Sequence, residues 1–293
     1  MVEKALRLRA PAVDIAVEII TTRGDENSRH AAEIVDRKAG RKGLFTREIE
    51  RALLDGEIDV AVHSAKDLPS DTTPELEVCA ALPRAAVDDV LITKSAVTLS
   101  ELPAGGTIAT GSVRREHQLR LVRPDLVVVD LRGNVPTRLR KLTENAWDGI
   151  ILARAGLERL GFEPARVQFV FAGHALRSSL LPLGDFVPAG GQGVVALEVR
   201  TDDERTKRLV RALNHEATLS CLRAEREFLR ILQGDCGTPV GVFATLQGDV
   251  MTMRAQLFSD RETAPRVAEL RETIQDHAPE WIGAKLLELI NGR

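Results

Sequence analysis

The chain has 293 residues, 44% of them hydrophobic and 28% charged, with 40 Lys+Arg against 43 Asp+Glu for a formal net charge of −3. This is enough apolar material for a substantial core, and the length predicts two or three domains. The acidic balance argues against a dedicated nucleic-acid binder, and 3% aromatics with no tyrosine leave few platforms for stacking single strands.

Short runs rich in Val and Ile alternate with segments of helical period. Residues 15–22, 58–63, 90–93, 107–110, 126–131 and 149–153 read as strands. Residues 44–54, 112–123 and 135–143 read as helices, the second stopped by Pro124. In the first of these, Leu44, Ile49, Leu53 and Leu54 are expected to share a buried face, with Arg47, Glu48 and Arg51 in water. The alternation predicts an α/β protein with mostly parallel sheets covered on both faces. After Gly193 the pattern changes. Residues 202–213 and 216–232 read as helices, 240–245 and 250–258 as a hairpin around Gly248-Asp249, and 279–290 as a closing helix. That tail predicts a smaller α+β unit.

Residues 110–140 hold seven arginines (Arg114, Arg115, Arg120, Arg123, Arg132, Arg138, Arg140) against Glu116, Asp125 and Asp130, a local excess in a net-acidic chain. Arg114-Arg115 and Arg132 fall at strand-to-helix joins, the edge where open α/β sheets place ligands and where helix N-termini present free N–H groups to anions. Guanidinium forks there suit carboxylates or phosphates. Arg120, Arg123 and Arg140 fit a solvated helix face equally well.

His63-Ser64-Ala65-Lys66-Asp67-Leu68-Pro69 emerges at the carboxyl end of a buried strand. A carboxylate here can serve as general acid or face a developing cation, with Lys66 beside it for a substrate carboxylate. A polar turn ending a strand is the plainer reading, and His63 fits a satisfied interior histidine.

Cys236, in Gln233-Gly234-Asp235-Cys236-Gly237-Thr238-Pro239, sits in a loop composition where a thiol is accessible to chemistry. Cys79 and Cys221 have apolar or helical neighbours and read as packing residues. Three scattered cysteines predict neither a disulfide framework nor a zinc site, and the six histidines show no metal-ligand spacing. Pro188-Ala189-Gly190-Gly191-Gln192-Gly193 lacks a dinucleotide fingerprint and fits a hinge. No run approaches the roughly 20 apolar residues of a membrane span, and the charged start is unlike a secretory signal, so a cytoplasmic location is expected.

Taken in order, these segments resemble the porphobilinogen deaminase (hydroxymethylbilane synthase) family. The stretches that carry the resemblance are Thr22-Arg23-Gly24-Asp25, Lys42-Gly43-Leu44-Phe45, residues 63–69, Thr110-Gly111-Ser112-Val113-Arg114-Arg115 and Leu131-Arg132-Gly133-Asn134-Val135. Ala155-Gly156-Leu157-Glu158-Arg159-Leu160-Gly161, residues 188–193, Leu213-Asn214-His215 and the cysteine loop complete the series.

The resemblance implies two periplasmic-binding-protein-like domains around a cleft plus a small α+β C-terminal domain. The expected division is 1–84 with 194–212, then 88–188, then 215–293. It implies head-to-tail condensation of four porphobilinogens with loss of ammonia, primed by a dipyrromethane cofactor in thioether linkage to Cys236. Asp67 matches the catalytic carboxylate that faces the cationic azafulvene. Lys66, Ser112, Arg114, Arg115, Arg132 and Arg138 match cofactor-binding positions, and Arg23, Arg159 and Gln192 match substrate-binding positions. Lys42 and Phe45 match a loop over the active site. The implied partners are porphobilinogen and the growing polypyrrole, with no nucleic acid or membrane, and the implied state is a monomer.

The chain departs from the family pattern at its start, where a strand and most of a helix, about 20 residues by element length, have no counterpart. Other departures are Gly111 where a second serine is usual, Pro136, and Asp235 and Gly237 around the cysteine. Two other readings stand beside the enzyme: a non-catalytic two-lobed binder of anionic ligands, and an inactive truncated deaminase.

Overall fold

The computed structural model describes residues 1–20, 46–164, 166–234, 238–259 and 264–292. Among these residues, three sheets carry the fold. The first has β1 (Ala61–Ser64), β2 (Leu76–Ala81) and β9 (Val195–Arg200) in the order β1-β9-β2, with both pairings antiparallel. Helix α1 (Val2–Arg9) sets Val2, Ala5 and Leu6 against Cys79, Ala80, Leu197 and Val199, with Val210 of α6 (Glu204–Arg211) in the same cluster. Helix α2 (Arg47–Leu54) packs Leu53 on Ala61 and Leu76.

The second sheet contains β3 (Asp89–Thr93), β4 (Thr107–Ala109), β5 (Val127–Val129), β6 (Gly149–Ala153), β7 (Gln168–Phe171) and β8 (His174–Leu180), in the order β5-β4-β6-β3-β8-β7. Successive residues of a strand face opposite sides. Accordingly Val90 and Ile92 join one core, with Leu139 and Leu142 of α4 (Val135–Glu144) and Leu157 of α5 (Arg154–Glu158). Leu91 joins the other, with Leu119 of α3 (Val113–Val122) and Phe186. A strand covered on both faces reads in sequence as an unbroken apolar run, as β3 does.

The third sheet is an antiparallel meander of β10 (Val240–Gln247), β11 (Val250–Leu257) and β12 (Arg266–Thr273). Helices α7 (Glu216–Leu232) and α8 (Pro279–Ile290) share a core with it, in which Phe228, Ile282 and Leu286 meet Val242, Met251 and Met253. The chain leaves the first sheet after β2, builds the second, and returns through residues 182–194 to insert β9 between β1 and β2.

Several expectations need correction. The sheets are not mostly parallel: among the described residues only β4–β5 and β4–β6 pair in parallel, because β9 returns antiparallel into the first sheet and β3 runs antiparallel to both its neighbours. Residues 15–20 form no strand, and 21–22 lie outside the described residues. Helix α2 begins at Arg47, and its buried residues are Glu50, Ala52 and Leu53, while Leu54 is exposed. The expected hairpin gains a third strand, β12, whose mixed exposure hides it from an alternation search. Among the described residues, no helix is long and apolar enough to cross a membrane.

Candidate active site

At the end of β1 the backbone tightens into one turn of 3-10 helix, Ala65–Asp67. Ala65 is buried, Lys66 half-buried and Asp67 exposed. The Ala65 amide donates to the Val194 carbonyl at 3.0 Å. Gly191, at φ +74°, presses against the same turn; a Cβ there would stand 2.8 Å from the Ala65 carbonyl carbon and 2.9 Å from the Lys66 nitrogen. The glycine-rich bend therefore supports the turn that carries Lys66 and Asp67.

Lys66 stands in a field of mixed charge. Burial pulls its pKa below the usual 10.5; Asp67 and Asp89 push it up, and Arg115 and Arg138 push it down. Arg138, on α4, is lowered to about 10, chiefly by burial, then by Arg115 and Arg132, against the opposing pull of Asp67 and Asp130. Its Nε donates to the Gly133 carbonyl at 2.5 Å. Arg132 donates its Nε to Asp130 at 2.8 Å on a part-exposed edge. The structure thus brings Lys66, Asp67, Arg115, Arg132 and Arg138 into one electrostatic group.

Beneath them lies Asp89, fully buried at the start of β3. Its carboxylate accepts from Arg114 Nη1 at 2.8 Å, Arg115 Nη2 at 2.7 Å and Gln192 Nε2 at 2.9 Å. Burial alone would raise its pKa, but the two guanidiniums outweigh that and hold it well below the usual carboxylate range. The sequence reading missed Asp89. The signal was an acid opening an apolar strand, which a buried cation must neutralise.

Arg114 and Arg115 were expected to project toward a ligand, yet both are buried and bound to Asp89. Arg114 Nη1 also donates to Gln118 and to the Val187 carbonyl, and Arg115 Nη1 to the Ile151 carbonyl at 3.0 Å. Each keeps a buried Nε with no hydrogen-bond partner among the described residues. Ser112 caps α3, its hydroxyl oxygen accepting from the Arg115 amide at 3.5 Å. Gln192 is buried and donates to the Val87 carbonyl as well as to Asp89. Arg159 donates to the Gly193 carbonyl at 2.9 Å. Arg23, Lys42, Phe45 and Cys236 lie outside the described residues.

The third sheet is tied to this centre by groups the sequence reading did not single out. Gln118 Nε2 donates to Gln256 of β11 at 2.8 Å. Arg84, between β2 and β3, grips the buried Glu225 of α7 at 2.6 and 3.2 Å, while Glu225 accepts from the Gly191 and Ala244 amides. His63 is interior and paired with Glu198 at 3.1 Å; Cys79 and Cys221 are buried.

Residues 1–208 match the family model "Porphobilinogen deaminase, dipyromethane cofactor binding domain", and residues 219–291 match "Porphobilinogen deaminase, C-terminal domain". The chain belongs to the porphobilinogen deaminase family. Similar members include the porphobilinogen deaminases of Roseiflexus sp. (strain RS-1), 45% identical over 88% of this chain and 80% of that one, and of Syntrophomonas wolfei, 42% identical over 88% and 79%. Among solved structures, a nutrient binding protein from Burkholderia cenocepacia bound to methionine is similar over 72% of this chain and 84% of that one, with 13% identity and a TM-score of 0.42.

The residues present fit a polycarboxylate cofactor of the kind the matched domain is named for. Five cationic side chains (Lys66, Arg114, Arg115, Arg132, Arg138) share the centre with three carboxylates (Asp67, Asp89, Asp130), leaving positive charge over. The unpartnered buried guanidinium nitrogens add donors without acceptors.

Proposed function

We propose that the chain is a hydroxymethylbilane-forming transferase that condenses four porphobilinogens head to tail, releasing ammonia at each addition. The observation that carries this reading is the exposed Asp67 carboxylate set among Lys66, Arg115 and Arg138, with Arg132 beside them. A pure anion binder needs the cations alone; a carboxylate at the centre of their field weakens anion capture, unless a cation must also be stabilised there.

In this assignment Arg132 and Arg138 hold acetate and propionate groups as charge-assisted, bidentate partners, and Lys66 adds a single charge-assisted contact. Arg114 and Arg115, anchored on Asp89, contribute their field and their free Nε groups. Asp67 accepts from pyrrole N–H and offsets the positive charge left on the substrate as ammonia departs, a preorganised electrostatic contribution. Ser112, Arg159 and Gln192 shape the cleft walls through the backbone contacts described above. A dipyrromethane bound through a thioether to Cys236 supplies the terminal pyrrole carbon that begins each chain. Arg23, Lys42 and Phe45 are assigned to substrate contact and to the loop over the cleft by family position. The proposed setting is a monomer in the cytoplasm, divided as 1–84 with 194–212, 88–188 and 215–293.

The test is the denatured intact mass of purified protein, alone and as Cys236→Ser. A mass excess of two porphobilinogens less two ammonias, absent from the variant, is the expected result. An unmodified mass that persists after incubation with porphobilinogen or preformed hydroxymethylbilane overturns the enzyme reading in favour of an apo-protein or anion binder.

A further inference from the structure

We propose that His63 is a positioning residue, which fixes the register of β1 through Glu198 and thereby the place of Lys66 and Asp67 in the cleft. The inference rests on the functional reading of that turn given above.

His63 Nε2 and Glu198 Oε2 lie 3.1 Å apart, with both side chains only 3% exposed. Neither can touch a substrate. In the β1–β9 ladder His63 stands opposite Ala196 and Glu198 opposite Ala61, so the contact is diagonal across two antiparallel strands. The buried face of β1 otherwise presents only Ala61, followed by Ala65 at the turn. Small apolar side chains of one size discriminate poorly between registers. A slip of two residues would keep the same faces buried while displacing Asp67 by roughly 6–7 Å along the strand. Against the slip that would set His63 opposite Val194, the His63–Glu198 pair marks the observed register, and register specification is the best-attested use of a buried polar pair.

Charges on the neighbouring elements act in the same sense. Glu198 is felt by Arg226 of α7, whose guanidinium is pulled down in pKa by burial and pushed up by Glu198, Glu50 and Asp71. A slip that set His63 opposite Val194 would carry it away from Glu198 and leave that carboxylate without its hydrogen-bond partner, an unfavourable state in a buried site, while the opposite slip would replace the diagonal contact with a direct cross-strand one. Four residues separate His63 from Asp67, and the Ala65–Val194 and Gly191 contacts transmit the register directly to the turn.

The experiment compares wild type, His63→Leu and His63→Gln, whose amide can still donate to Glu198. Two quantities are read: kcat and KM for porphobilinogen, and the pH midpoint of Lys66 acetylation by acetic anhydride, followed by peptide mass spectrometry. The groups that face Lys66 are Asp67, Asp89, Arg115 and Arg138, so its midpoint reports where the turn sits. His63→Leu is expected to lower kcat by about 10-fold or more with KM little changed, as misplacement costs rate more than binding, and to move the Lys66 midpoint. His63→Gln is expected to restore both. A folded His63→Leu chain with an unmoved midpoint overturns the proposal, as does a glutamine variant no better than leucine. Should His63→Leu fail to fold, Glu198→Leu is read the same way, and an unmoved midpoint there is equally fatal. If wild type consumes no porphobilinogen, the functional reading falls while the Lys66 midpoint still decides the positioning role.

Discussion

Arg115 donates to Asp89 at 2.7 Å from a helix that begins more than twenty residues later in the chain, and both groups are nearly or wholly removed from water. With Arg114 on the other carboxylate oxygen, one buried anion holds two buried cations. Asp89→Asn leaves those guanidiniums facing each other without compensation, and breaking a buried pair costs about 3–5 kcal/mol. A clear drop in the midpoint of urea unfolding is the expected outcome, checked against the wild type at pH 7.

The same carboxylate sets an acid limit on stability. Its folded-state pKa lies below the ordinary value of 3.8, so the unfolded chain binds the proton more readily. The stabilisation is fully present above the unfolded pKa and is lost as pH falls toward the folded one. Thermal melts between pH 7 and pH 2 should show wild type losing stability steeply below about pH 4, with Asp89→Asn showing a shallower loss in that window.

Lys66 behaves in the opposite way. Its pKa is lowered mainly by burial, so the folded chain holds that proton less readily than the unfolded one. The cost of keeping the ammonium charged is present at neutral pH and fades as pH rises toward 10.5. Lys66→Met should therefore raise Tm at pH 7 while abolishing cofactor assembly, a stability gain at the expense of function. Calorimetry and intact mass on one sample check both halves.

Asp67 is exposed and holds no structural hydrogen bond among those described, so Asp67→Asn should leave Tm within about 0.5 kcal/mol equivalent of wild type. Turnover should fall on the order of 100-fold or more, the usual cost of removing a preorganised charge-stabilising group. Steady-state assay with porphobilinogen alongside the melt separates the two effects; undiminished turnover removes Asp67 from the mechanism.

Gly191 carries a backbone that side chains rarely adopt and abuts Ala65 and Lys66. Gly191→Ala adds strain of about 1–3 kcal/mol and must displace backbone rather than a flexible side chain. Tm and kcat are expected to fall together, in contrast to Asp67→Asn.

Much of the fold was legible where a strand is buried on both faces. Asp89–Thr93 and Gly149–Ala153 announce themselves as apolar runs, and α7 by its long helical period. The strands that escaped were Gln168–Phe171 and His174–Leu180, near one edge, where polar residues and half-exposure blur the alternation. Leu76–Ala81 also escaped, its run broken by Glu77, and Val195–Arg200 was obscured by the glycine bend before it. At the site, Lys66, Asp67 and Arg132 stood out because local sequence places them just past strand ends, and Arg138 because it lies on the helix that follows. Arg114 and Arg115 were read as free cations because their counter-charge, Asp89, lies a loop, a strand and a turn away. Long-range ion pairing leaves no mark on local pattern.

The insertion of β9 between β1 and β2 imposes an order on biogenesis. The second sheet draws only on residues 89–180 and can close as soon as that stretch leaves the ribosome. The first cannot: β1 and β2 emerge early but, among the described residues, meet each other only through Val195–Arg200, made more than a hundred residues later. Until then both strands carry unpaired edges, and such edges are open to wrong partners. The turn that carries Asp67 therefore takes its final place late in synthesis, after the arginine-bearing lobe is ready to receive it.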